Sequence, residues 1–341
     1  MTLVEIEARG WDPILERLGC ADAYLRRGYV GASCVVDGGE PRLLHLSAPG
    51  GDVVFALSVR PIPGSYLADA TTPYGYGGPV ATGDAPPAAE FWEAYAQWCA
   101  RNGVVSTFLR FHPLFANHRY AASTIRLEPL APTVAWDLRG SHDPADRMHR
   151  HHRRAVRKAA RSVEVQVDEA PSQLDDFVAL YEAAMHRRGA DAFYLFPKGY
   201  WEALGSRFGA QLVRFNASVD GELVASLLCL ATPPWLHYHL GASSERARSA
   251  GASNLLMLEA ARGAKARGYE CFHLGGGVGG REDSLHEYKR RFAPDDLVEA
   301  RIGKAIHDEE AYAALSGGDA SSDGFFPAYR REALASIAHR S

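Results

Sequence analysis

The sequence predicts an α+β chain made of two copies of one unit, each with a mixed, largely antiparallel sheet flanked by helices. Three observations carry this. Asp220-Gly221 separates two apolar runs, Leu212 to Val219 and Leu223 to Ala231, which is a strong hairpin signal. Amphipathic helices alternate with short β-branched or aromatic runs. The order of antiparallel strands, a helix and a further strand occurs twice along the chain.

In the first half, Asp52 to Val59 (DVVFALSV) reads as a strand, and TTPYGYGGPV (Thr71 to Val80) is rich in turn residues. Glu90 to Asn102 then reads as a helix with Phe91, Tyr95, Trp98 and Cys99 on one face. Gly103 ends it, and VVSTFLRF (Val104 to Phe111) is the next strand. In the second half, Leu174 to Arg187 is an amphipathic helix and Tyr200 to Phe208 a shorter one. After the hairpin come a strand at Trp235 to Leu240, a helix from Ser253 to Arg267 stopped by Gly268, and the strand CFHL.

The interruption GSHDP, near Gly140 to Pro144, sets the expected boundary. A first domain is expected over 1–142 and a second over 143–296, with the tail 297–341 packing back on the first. Within that tail, Gly317 to Gly324 (GGDASSDG) is a small-polar loop, followed by FFPAYR and a last short helix.

Bulk properties narrow the function classes. The 341 residues are 47% hydrophobic and 23% charged, ordinary values for a globular protein. No run of about 18 apolar residues is present, so no membrane span is expected. The N-terminus, MTLVEIEARGWDP, has early acids and no apolar core, which argues against a signal peptide. The five cysteines are dispersed without CxxC spacing. This fits buried thiols in a reducing cytoplasm better than disulfides or zinc. A net charge of −4 does not fit a protein that grips nucleic acid over a long surface, and a DNA partner is not expected.

One local patch departs from that balance. Arg147 to Arg161 reads RMHRHHRRAVRKAAR. On a helix, Arg150, Arg154, Arg157, Lys158 and Arg161 recur at three- and four-residue spacings, with Arg153 beside them. Such a stripe suits the phosphates of RNA, a nucleotide or a pyrophosphate. The alternative is a solvated helix face. His149, His151 and His152 lack metal-ligand spacing. A second anion-site candidate is RSAGAS, where Arg248, Gly251 and Ser253 lead into a helix starting near Asn254. Small residues and free amides at a helix start can hold a phosphate. Acetyltransferases of the GNAT superfamily place an R/Q-x-x-G-x-G/A loop there for the pyrophosphate of acyl-CoA, and Ser253 makes the match partial. The alternative is a tight turn with Ser253 as N-cap.

The richest segment is His273 to Phe292, HLGGGVGGREDSLHEYKRRF. A glycine cluster follows a strand and leads to Asp283, then to Tyr288 and Lys289. A lysine just past a strand end, beside flexible backbone, can stabilise charge developing on an acyl carbonyl. The alternative for Lys289 is an exposed helix lysine beside Arg290 and Arg291. His237 and His239 alternate on a strand and, with His273, could imitate a metal site. Cleft-lining or core histidines are the preferred reading, and no metal is expected.

In order, TPYGYGGP (Thr72 to Pro79), FLRFHPL (Phe108 to Leu114), RRAVRKA (Arg153 to Ala159) and LYEAAMHRRGADAFYLF (Leu180 to Phe196) are family landmarks. HYHLGAS (His237 to Ser243), the GGG…DSLHEYKRRF segment and FFPAYR (Phe325 to Arg330) complete the set. Over most of its length the chain resembles the FemABX-like peptidyltransferases, which are double-GNAT proteins. The resemblance implies two tandem GNAT-like domains with a cleft between them. It implies an acyltransferase that moves an amino acid from aminoacyl-tRNA to an amine. The acceptor would be a peptidoglycan precursor or an antibiotic-type natural-product intermediate, joined by non-ribosomal peptide bond formation. It implies no resident cofactor, a cytoplasmic setting and at most peripheral membrane contact.

The family's aromatic–lysine pair falls on Tyr288 and Lys289, with tyrosine in place of the commoner phenylalanine. Its acceptor site, in the first unit and the cleft, falls on Tyr74, Tyr76, Gly77, Gly78 and Arg187 or Arg188, with His237 and His239 as further substrate-binding candidates. The general base is open between His112, Asp283 and the substrate itself; many members have an acid at the position of His112. The coiled-coil arm of some members is missing. Two other readings stay open: an acyl-CoA-dependent N-acyltransferase of the same fold, and a non-catalytic RNA-binding module.

Overall fold

Asp220 and Gly221 both take positive φ, 50° and 78°, the backbone that a two-residue hairpin turn demands. The strands on either side pair antiparallel from Glu222–Val219 to Leu230–Leu212. This hairpin belongs to a computed structural model that describes residues 1–318 and 324–331.

Thirteen strands are present among the described residues. In chain order they are β1 (Val4–Glu5), β2 (Glu40–Ala48), β3 (Gly51–Pro61), β4 (Ala68–Thr71), β5 (Val80–Thr82), β6 (Val104–Arg110) and β7 (Arg126–Asp137). They continue with β8 (Glu164–Glu169), β9 (Leu212–Val219), β10 (Glu222–Thr232), β11 (Trp235–Ser243), β12 (Cys271–Gly275) and β13 (Leu297–Ile306). The helices are α1 (Trp11–Arg17), α2 (Arg27–Asp37), α3 (Ala88–Arg101), α4 (Pro144–Arg147), α5 (Arg150–Ala159) and α6 (Asp175–Arg187). After them come α7 (Lys198–Phe208), α8 (Glu245–Ala250), α9 (Ala252–Ala266), α10 (Ser284–Arg290) and α11 (Glu309–Leu315). No helix among the described residues is long and apolar enough to cross a membrane.

The chain divides into two compact units. The first comprises Met1–Pro129, Asp191–Ala203 and, of the described tail, 300–318 and 324–331. The second comprises Leu130–Ala190 and Leu204–Glu299. The expected boundary at 142 differs from this division. β7 runs unbroken to Asp137, and Val134 to Asp137 pair with β12, so 130–142 group with the second unit. The segment 191–203, expected in the second domain, groups with the first.

In the first unit β1, β2, β3, β4, β6 and β13 neighbour one another in that order, and β5 pairs β3. Only β4 and β6 run parallel there. β3 shows why helices lie on both faces. Val53, Phe55 and Leu57 alternate toward a core with Phe91, Tyr95 and Trp98 of α3, while Val54 and Ala56 face Trp11, Leu15 and Val30 of α1 and α2. The segment FFPAYR is fixed to this unit. Phe326 stacks on Tyr312, the Tyr329 hydroxyl bonds Ser106, and Arg330 joins Arg60 on the fully buried Asp69. Most of the GGDASSDG loop and the expected last helix lie outside the described residues.

In the second unit the order is β7, β12, β11, β10, β9, β8, antiparallel except for β11 with β12. Ala225, Leu227, Cys229 and Ala231 of β10 meet Leu256, Ala260 and Ala264 of α9 in one core, which also takes Val156 and Ala159 of α5. Gly268, at φ 82°, ends the chain's turn out of α9, as its position predicts.

Candidate active site

In the second unit, β11 and β12 are bonded in parallel only from Trp235 to His237, against Cys271 to His273. Beyond that, β11 continues to Ser243 on β10 alone, and β12 stops at Gly275. The two strands therefore part, leaving a fork. β11 also carries a bulge at this point: Tyr238 pairs Cys229 and Leu240 pairs Leu228, so His239 is the extra residue.

Lys289 lies at the fork. Its Nζ donates to the carbonyl of Gly276, just past the end of β12, at 2.9 Å. The same nitrogen stands 4.6 Å from the ring centre of Tyr238, the first β11 residue beyond the parallel pairing. Lys289 is only 6% exposed. Burial lowers its pKa from 10.5 to about 7, and the charge of Asp283 opposes the fall. Lys289 is thus a buried amine, while its neighbours Arg290 and Arg291 are exposed.

The short helix α10 is held at both ends. At its start the Asp283 carboxylate accepts the amides of His286 at 2.8 Å and Val278 at 2.9 Å. Burial alone would raise the Asp283 pKa. The amides of His286, Val278 and Leu285, with the Lys289 charge, outweigh it and hold the carboxyl below its ordinary value. Asp283 is therefore an ionised cap, a geometry that suits positioning better than proton abstraction. Gly277 makes the cap fit, because a Cβ there would meet Arg281 O at 2.2 Å and Asp283 Oδ1 at 2.3 Å. The His286 ring nitrogen Nε2 bonds Pro132 O. At the other end His152 Nε2 donates to Tyr288 O at 3.0 Å, and its ring lies 4.4 Å from that of Phe292. Burial lowers the His152 pKa to about 4, so the ring is neutral. The His149 amide bonds Arg291 O.

Tyr288 packs on Phe292 and His152. Its hydroxyl makes no hydrogen bond among the described residues. Burial pushes its pKa well up, so it stays protonated. His237 and His239 are both buried; His237 Nδ1 lies 3.2 Å from His273 Nδ1, and His273 Nε2 lies 2.9 Å from Thr133 Oγ1. Burial and the neighbouring His237 lower the His239 pKa to about 3. Arg187 donates to Ser243 O, near the end of β11, and Arg188 is exposed.

The basic run forms α5 as its spacing predicts, up to Ala159, with Arg161 in the following turn. The loop candidate is corrected in one respect. Gly251, at φ 72°, separates α8 from α9 and occupies the N-cap position, while Ser253 sits inside the first turn of α9 and caps nothing. Arg248 belongs to α8 and is exposed. The loop rests on α5: a Cβ on Gly251 would meet Ala155 O at 3.1 Å, and Lys158 Nζ donates to Ser249 O at 2.8 Å.

The remaining candidates lie in the first unit. His112 is fully buried, with Nε2 3.2 Å from Asp22 Oδ1 and Nδ1 accepting the Phe115 amide at 3.4 Å. The rings of Tyr24 and Tyr76 stand edge-on to it at 6.0 Å. Tyr74 is fixed through its backbone, its amide donating to Ser33 Oγ and its carbonyl accepting from Tyr29, and its ring meets Phe193 and Phe196. Gly77 and Gly78 are buried; the Gly77 amide bonds Arg110 O, and Asn117 bonds Gly77 O and Pro79 O. Gly78 needs its positive φ of 87°. Sequence reasoning missed Tyr238, Gly276, Asp22 and the anchoring role of His152. For the last the sequence offered no signal, since the burial of His152 beside Phe292 is set by packing.

Residues 146–290 match the family model of an acetyltransferase (GNAT) domain. No curated protein matches the chain in sequence. Among solved structures, FemX aligns with a TM-score of 0.69 at 12% identity, covering 92% of this chain and 99% of that one. L-PGS from Bacillus licheniformis aligns at 0.59 and 12%, covering 98% of each chain. A tandem GNAT protein from the clavulanic acid biosynthesis pathway aligns at 0.52 and 10%, covering 89% and 98%. At such identities the likeness is one of fold. Residues 146–290 therefore form a GNAT-type acyltransferase domain, and the chain as a whole carries the fold shared by FemX and the tandem GNAT protein.

Proposed function

We propose that this protein is an aminoacyltransferase that moves an amino acid from aminoacyl-tRNA to an amine, making an amide bond. The observation that carries the reading is the Lys289 amine at the fork, buried and anchored on Gly276 O. The acceptor amine attacks the ester carbonyl, a C–N bond forms and the C–O bond to the terminal ribose breaks. The Lys289 ammonium stabilises the oxyanion during attack and then gives its proton to the leaving alkoxide. The amine's own proton restores the ammonium, which a pKa of about 7 permits. No cofactor takes part in these steps. The acceptor is a peptidoglycan precursor or a natural-product amine, and the setting is the cytoplasm, where charged tRNA is made.

A second reading, an acyl-CoA-dependent N-acyltransferase, is favoured by one feature: Gly251, at φ 72°, separates α8 from α9, and α9 opens on the small residues Ala252 and Ser253, as in an anion-holding helix start. Product formation separates the two. Full-length protein is given amino acids, ATP, total tRNA, synthetases and candidate amines, with and without ribonuclease, and in parallel acyl-CoA donors. A ribonuclease-sensitive aminoacyl product in mass spectra is expected. A product formed only from acyl-CoA transfers the assignment to the second reading. RNA binding without any product makes the chain a binding module.

A further inference from the structure

The six basic residues of the α5 region divide into two sets. Arg153 donates to the carbonyls of Asp146 at 3.1 Å and Met148 at 2.7 Å, and Lys158 to that of Ser249. These two fasten the helix. Arg150, Arg154, Arg157 and Arg161 are exposed and make no hydrogen bond or ion pair among the described residues. Steps of four and three keep Arg150, Arg154 and Arg157 on one side of α5, and Arg161 follows four residues on, in the turn after the helix. From Arg150 to Arg157 the row runs about 10 Å along the axis, and Arg161 extends it beyond the helix end. α5 itself contains no acid, and its other side, His152, Val156 and Ala159, is buried. Four exposed guanidiniums without ion-pair partners, three on an anchored helix and one in the turn that follows it, complement a polymer with one negative charge per repeat.

The line also has a direction. The N-terminal end of α5 is the end tied to α10, through His149 N to Arg291 O and His152 Nε2 to Tyr288 O. Tyr288 is next to Lys289 in the chain. We propose that Arg150, Arg154, Arg157 and Arg161 track successive phosphates of one RNA strand, with the strand's 3′ end at Arg150. The polarity rests on the reading of Lys289 given above, since the acyl group rides on the 3′-terminal ribose. The row reads backbone charge and no base identity.

The test uses the full chain and an uncharged, 5′-fluorescein-labelled RNA minihelix with a single-stranded 3′ overhang, followed by anisotropy. Four phosphates on a single strand predict a slope of about −3 in log K against log salt, or roughly 50-fold weaker binding between 50 and 200 mM. Each Arg→Gln change in the row is expected to reduce the slope by about 0.7. Arg246→Gln, at an arginine paired with Asp220 and Glu222, is expected to leave it unchanged. For direction, an iron chelate is tethered at Arg150→Cys or Arg161→Cys, with chelate-treated wild-type protein as the control for the native thiols. Cleavage from position 150 is expected nearer the 3′ end than cleavage from position 161. A flat salt response, row variants with unchanged slope, the reverse cleavage order, or row variants that lose binding only to anionic phosphatidylglycerol vesicles would each overturn the proposal. RNA binding with this slope and direction, but without aminoacyl product, removes the catalytic reading and leaves the strand track standing.

Discussion

Lys289→Met removes a buried amine and keeps its approximate volume, so it separates charge from packing. The depression of the Lys289 pKa from 10.5 to about 7 corresponds to roughly 5 kcal/mol disfavouring the cation in the folded state, as an upper figure. The unfolded lysine holds its proton to about pH 10.4, so between pH 7 and 10 the unfolded chain binds more protons than the folded one. Stability of the wild type therefore rises with pH across that window. The Met variant lacks this dependence. It is expected to be more stable than wild type at pH 6, by about 1–3 kcal/mol after relaxation, with the gap narrowing toward pH 10. Catalysis should move the other way. Loss of one charge donor at a developing oxyanion costs about 10²–10³ in kcat. The wild-type rate should fall as pH rises through about 7, where Lys289 loses its proton. The assays are urea unfolding at several pH values and amide formation from pH 5.5 to 9.5 at saturating substrates. A Met variant that keeps more than a tenth of kcat, or a wild-type rate that climbs steadily to pH 9, would refute the reasoning.

Three further outcomes follow from the same geometry. Asp283→Ala strips the cap from α10 and should cost about 1–2 kcal/mol in denaturant unfolding, with a larger loss of kcat than of affinity because Lys289 is displaced. Gly277→Ala should be worse than that, since its Cβ falls 2.2 Å from Arg281 O; a variant with wild-type melting temperature and activity would contradict the close approach. Arg330→Ala leaves the buried Asp69 with Arg60 alone and should lower stability by about 1–3 kcal/mol, while Arg330→Lys should recover only part of it.

Periodicity made the regular elements legible. The α3 face, the Asp220-Gly221 hairpin and the helix before Gly268 all follow from local patterns that tertiary contacts reinforce. β7 was not legible, because Pro129 and Pro132 interrupt its pattern and its pairing partner lies more than 130 residues away. The expected boundary differs from the two-unit division for the same reason: a turn signal at Gly140 is local, whereas membership of a sheet is not. At the site, Lys289 could be singled out from its motif, but its burial depends on Gly276 and Tyr238, which reach it only through the fork. In the sequence Asp283 reads as a carboxylate near a lysine, and its work as a cap is visible only once α10 is placed. Of His149 at the N-cap and His151 and His152 in α5, packing against Phe292 is what singles out His152.

The first unit is closed by residues from the end of the chain. β6 has β13 as one of its two neighbours, and Asp69 of β4 receives Arg330. During synthesis at 5–20 residues per second, the stretch from β6 to β13 takes roughly 10–40 s to emerge. For that interval one edge of β6 has no partner while the intervening 180 or so residues, most of them in the second unit, are still being made. A ribosome stalled before residue 300 would thus display an open strand edge ready to pair with a neighbouring nascent chain. Loss of the last forty residues should accordingly show itself as aggregation on polysomes, before any defect in the second unit can be measured.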